Sequence, residues 1–164
     1  MKKIIYFILI LFSLTSAQAQ LKVKAKCDEF YIDILGGTVN DARPDYTMGQ
    51  IKTKLPCFSS SEDEGSTTAK CGGTIFYKDR DVYFYTDRDY IEIGEKFKGR
   101  MSVQLLGIPR KAVIKYFGQP MMKDESWDAF QTQYGLAILH YNKLGKVSLI
   151  QLTTKTTSNL QLCE

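Results

Sequence analysis

Tyr-Ile-Asp-Ile at residues 31–34 returns as Tyr-Ile-Glu-Ile at residues 90–93, and each copy opens the same succession of patterns. About 20 residues after each copy comes a short helical pattern. The first, residues 46–56, places Met48, Ile51 and Leu55 on one face; the second, residues 108–120, has Pro109 suited to a first turn and Gly118 to a stop. Both run into a proline, Pro56 and Pro120, and a polar stretch follows in each. Two pairs of alternating strands then come at residues 73–85 and 135–152, with turn residues at 78–81 and 142–146. Such a recurrence predicts tandem units over residues 20–88 and 89–164, each burying its sheet face with its own helix. The expected class is α+β: two strand–helix–antiparallel-sheet units, with the helices packed on one face of the sheet.

The first 19 residues read as a secretory signal peptide. Lys2 and Lys3 form a basic start, Ile4 to Leu14 an apolar run, and Ala17-Gln18-Ala19 the small residues of a cleavage site. The run is too short to span a bilayer. No cysteine follows it, so a lipid anchor is not expected. Cleavage near Ala19 would leave a periplasmic or secreted chain with no membrane anchor, and the loss of Lys2 and Lys3 lowers the formal charge from +4 to +2. Basic and acidic residues are interspersed, so nucleic acid is not the expected partner. The basic residues 21–26 read as a solvated arm or edge strand.

Export changes the meaning of the cysteines. All four, Cys27, Cys57, Cys71 and Cys163, lie beyond the cleavage site, and an even number in an oxidising compartment reads as disulfides. A zinc site is the sharper alternative, but no Cys-x-x-Cys pair exists and His140 is the only histidine, so no metal or other cofactor is expected. Of the three possible pairings the sequence favours Cys57–Cys71, closing the acidic loop between them, with Cys27–Cys163 tying the two ends of the mature chain.

This layout resembles the β-lactamase inhibitory protein family, exported proteins of similar size built from two tandem helix-plus-antiparallel-sheet units. A single unit resembles the small lipoprotein of the outer-membrane barrel-assembly machinery. The resemblance spans residues 27–152 as a pattern of elements. In that family a disulfide closes the loop between helix and sheet, the place Cys57 and Cys71 occupy here. The second unit departs from it, since residues 121–134 contain no cysteine. The resemblance therefore implies a fold and leaves the partner open.

Little in the chain suggests catalysis. Any Ser-His-Asp or Cys-His arrangement must use His140, which sits in a half-buried strand pattern. No phosphate-binding glycine loop is present, and no spacing singles out a carboxylate pair. Aromatic surface is the stronger signal. If Ile32, Ile34, Val82, Phe84, Ile91 and Ile93 face the helices, alternation puts Tyr31, Tyr83, Tyr85 and Tyr90 on the opposite, open face. Tyrosine brings large contact area at small entropic cost, which suits a protein-binding surface. Glu62, Asp63 and Glu64, in a loop stapled beside that face, would enter a basic cleft on a partner, with the region of Trp127 and Tyr141 as the alternative surface. The expected function is non-catalytic: binding and neutralising another protein, as an immunity protein against an exported toxin or as an enzyme inhibitor. An accessory factor of envelope assembly and an unrecognised hydrolase are the other classes the sequence leaves open.

Overall fold

Eleven strands and two short helices account for the regular structure of residues 27–65 and 72–162, the parts of the chain described by a computed structural model. In chain order they are β1 (Tyr31–Asp33), β2 (Thr38–Val39), α1 (Met48–Lys54), β3 (Ser60–Glu62), β4 (Thr74–Tyr77), β5 (Val82–Tyr85) and β6 (Tyr90–Ile93). Then follow β7 (Arg100–Met101), α2 (Arg110–Phe117), β8 (Met122–Lys123), β9 (Trp127–Gln131), β10 (Leu136–Tyr141) and β11 (Val147–Thr153). The signal-peptide reading of residues 1–19, and the cleavage site within it, lies outside the described residues.

The dominant element is an eight-stranded sheet in the order β3-β4-β5-β6-β11-β10-β9-β8, antiparallel at every pairing. Each helix is followed by a four-stranded meander, and the two meanders meet at their last strands, β6 and β11. Ile93 stands opposite Ile150 and Ile91 opposite Leu152 at that seam. A three-stranded sheet, β2-β1-β7, lies apart from it.

Period-two alternation decides which side chains enter the core. Ile75 and Tyr77, Val82 and Phe84, Ile91 and Ile93, then Ile150 and Leu152, and Ala137 and Leu139, form cross-strand rows on one face, all buried. Against that face pack Ile32 and Val39 of the small sheet, Ile34 just after β1, Ile51 of α1 with Leu55 at its C-cap, and Val113 from α2. The start of α1 is fixed by a capping box: Gln50 N donates to Thr47 Oγ1 and Thr47 N donates to Gln50 Oε1. Pro109 stands at the N-cap of α2, and Gly118, with φ of +73°, ends it.

Four expectations are corrected here. The α+β class does not hold: the helices have only seven and eight residues, and the molecule is mostly β. The two polar stretches after the helices carry strands that the sequence hides. In β9, Asp128 and Phe130 face the core, and the inward carboxylate breaks the apolar alternation that would have marked a strand. Nor do the two Tyr-Ile-acid-Ile copies occupy like places, since β1 belongs to the small sheet and β6 to the large one.

The fourth correction is the disulfide. Cys27 bonds Cys57, with Cα atoms 5.7 Å apart, which excludes both Cys57–Cys71 and Cys27–Cys163. Packing explains the choice. Phe30 meets Tyr77 edge-on at 5.0 Å, and the Tyr77 hydroxyl donates to the Leu55 carbonyl at 2.6 Å. The chain entering β1 and the chain leaving α1 therefore converge on one residue of β4, bringing the two cysteines together. Cys71 and Cys163 lie outside the described residues.

Candidate protein-binding face

The face of the large sheet turned away from the core is built by the same alternation that built the core. Two cross-strand rows run over it. One passes from Phe76 through Tyr83, Glu92 and Gln151 to Ile138; the other from Glu62 through Thr74, Tyr85, Tyr90 and Thr153 to Leu136. Tyr83, Tyr85 and Tyr90 share this face. Tyr31 does not join them: it is 41% exposed, but on β1 of the separate small sheet.

The two halves of the face differ. Over the β6–β11–β10–β9 half, Leu160 and Leu162 of the C-terminal segment pack onto Tyr90, Ala129, Leu136 and Ile138. Tyr90 is only 1% exposed, and its hydroxyl donates to the Gln161 carbonyl at 2.9 Å. The expectation of an open Tyr90 is thus overturned. Its ring supports the segment that hides it, and burial pushes its phenol up to about 12. Trp127 and Tyr85 border the same cluster.

Over β4 and β5 the aromatic side chains stay half-exposed. Phe76 and Tyr83 meet edge to face at 5.8 Å, and the Tyr83 hydroxyl donates to Asp81 Oδ1 at 3.1 Å. Desolvation, then the Asp81 contact, raises the Tyr83 phenol above its ordinary value; desolvation, with nearby Glu92, raises Tyr85 to about 12. Both rings are therefore neutral hydrogen-bonding groups at physiological pH. Phe76 escaped the sequence reading, although the rule that placed Tyr83 outward applies equally to a phenylalanine between the inward Ile75 and Tyr77.

Glu62, Asp63 and Glu64 stand at the edge of this half. Glu62 closes β3 opposite Thr74, which in turn faces Tyr85, while Asp63 and Glu64 are exposed. The staple of this loop is not the expected disulfide. Asp87 Oδ2 accepts from both Gly65 N (2.9 Å) and Gly73 N (3.0 Å), drawing the two described ends of the loop together. A Cβ at Gly72 would fall 2.2 Å from that oxygen, so the approach needs glycine.

The polar centre of the face is a chain of side chains. Gln151 Nε2 donates to Glu92 Oε2 at 3.4 Å, which turns Gln151 Oε1 toward His140 Nε2 at 2.9 Å. An amide oxygen can only accept, so His140 carries its proton on Nε2 and donates it there. That nitrogen is thereby committed to a structural hydrogen bond. Among the described residues no group of three or more His, Cys, Asp or Glu side chains converges to hold a metal ion. Nor is any helix among them long and apolar enough to cross a membrane. No protein-family model, curated protein or solved structure matches the chain.

Proposed function

We propose that this protein is an exported, non-catalytic binder of another protein, acting as an immunity protein against an exported toxin or as an enzyme inhibitor. Its contact surface is the uncovered half of the outer sheet face: Phe76, Tyr83 and Tyr85, flanked by Glu62, Asp63 and Glu64. The observation that carries the proposal is the unequal treatment of one face. The chain's own C-terminal leucines cover the apolar side chains of one half, while the aromatic row of the other half stays half-exposed. Aromatic anchors beside a charged rim are the arrangement from which binding hot spots are made. The Cys27–Cys57 bond supports the exported setting, since disulfides persist in oxidising compartments.

Affinity capture from the native envelope fraction, followed by mass spectrometry, tests the proposal. A single tight partner should be recovered with the wild-type protein. Its binding should weaken by at least about 2 kcal/mol when Phe76→Ala and Tyr83→Ala are combined. Reversing the charges of Glu62, Asp63 and Glu64 should instead slow association and flatten its salt dependence, because rim charges steer encounter. Unchanged binding in both variants would sink this assignment of the surface.

A further inference from the structure

A second concave surface lies where α2 begins. Arg110 N donates to the Gly145 carbonyl at 2.9 Å and Pro109 pairs with Lys146, fastening the helix start to the β10–β11 hairpin. Between helix, hairpin and β8 is a groove of about 460 Å³, lined by Pro109, Arg110, Lys111, Ile114, Lys123, Leu144 and Gly145. The Arg110 guanidinium is neutralised by Asp128, which it grips through both Nε and Nη2. Lys111 and Lys123 therefore set the groove's charge. No carboxylate lines it, the first turn of α2 contains no acid, and the exposed Lys143 and Lys146 flank it in the hairpin.

The apolar part is as distinctive as the charge. Leu144 is 79% exposed at the hairpin tip, and Ile114 lies half-buried in the same wall. A leucine held in water beside the lysine walls suits an occupant that brings carboxylates and an aliphatic side chain together. The concavity selects among such occupants: a groove of about 460 Å³ receives a chain segment, whereas a flat lipid surface meets convex apolar protrusions.

We propose that this groove docks an acidic segment of a partner protein, its carboxylates on Lys111 and Lys123 and an apolar side chain between Ile114 and Leu144. The site shares no residue with the tyrosine face, so each can fail without the other.

A fluorescein-labelled octapeptide alternating glutamate and leucine serves as the probe, read by anisotropy with the disulfide-bonded protein. Expected is saturable binding that weakens as salt rises and falls about tenfold when Lys111→Glu and Lys123→Glu are combined, a change of about 1.4 kcal/mol. Leu144→Ser should weaken binding at every salt concentration, and an octapeptide alternating lysine and leucine should not bind. The Phe76→Ala, Tyr83→Ala variant should bind the acidic octapeptide as the wild type does. All substituted side chains are exposed or half-exposed, and a circular-dichroism melt confirms that each variant folds. The proposal is overturned if the acidic peptide does not bind, or binds the charge-reversed variant equally well. It is also overturned if the protein binds phosphatidylglycerol vesicles and not the peptide.

Discussion

Asp128 is a carboxylate on the core face of a strand, its side chain 1% exposed, and three hydrogen bonds from two side chains make that position tenable. Arg110 reaches it with Nε at 2.8 Å and Nη2 at 2.5 Å, the Tyr141 hydroxyl donates to it at 2.8 Å, and the guanidinium lies 4.8 Å over the Tyr141 ring. Arg110 also donates to the carbonyls of Asp124 and Glu125, so one side chain joins α2 to the β8–β9 turn. Arg110→Ala should cost about 3 kcal/mol in urea unfolding, because it strands a buried charge. Adding Asp128→Ala should return part of that loss, whereas a purely additive result would mean that the pair is uncoupled. A second expectation at this scale concerns the phenols. Burial raises Tyr77, Tyr85, Tyr90 and Tyr141, with Tyr85 and Tyr90 reaching about 12 from an ordinary 10. Between those values the folded chain holds protons that the unfolded chain has released. Stability is therefore undiminished below pH 10 and falls as pH rises from 10 toward 12. A spectrophotometric titration should show an exposed tyrosine class near the ordinary value, then a late class that ionises steeply with loss of structure. A single class ionising near pH 10 with the fold intact would contradict the burial.

Among elements, the C-terminal segment is the one whose removal would change the surface most. Its leucines cover Tyr90, Leu136 and Ile138, and the Tyr90 hydroxyl pins its backbone at Gln161. Tyr90→Phe should cost about 1 kcal/mol and accelerate amide exchange in residues 156–162 ahead of the sheet. Uniform exchange throughout would show that this bond does not anchor the segment. The same elements show what can be read from a sequence. In β5 and β6 strict alternation identified the inward Val82, Phe84, Ile91 and Ile93, and the outward Tyr83, because nothing interrupts the pattern. In β9 it failed because Asp128 occupies an apolar position, and only the long-range partner Arg110 reconciles charge with burial. The covering of Tyr90 was equally hidden. Alternation assigns a side chain to a face but carries no information about what later folds across that face.

For the molecule as a whole, the disulfide sets the covalent frame. It spans 30 residues, and replacing Cys27 and Cys57 by serine should lower stability by about 3–4 kcal/mol through the freed entropy of the unfolded chain. Non-reducing peptide mapping should recover Cys27 joined to Cys57. A Cys57–Cys71 peptide would refute the frame. The position of β11 has a separate consequence, for biogenesis. It is a central strand of the sheet, yet it is the last to leave the ribosome. Until residues 147–153 emerge, β6 and β10 each present a bare edge, and Ile91, Ile93, Ala137 and Leu139 lack the strand that separates and covers them. A chain lacking β11 would therefore present two half-sheet edges open to pairing with other chains. Stalled translation just short of Val147 would hold it in that state.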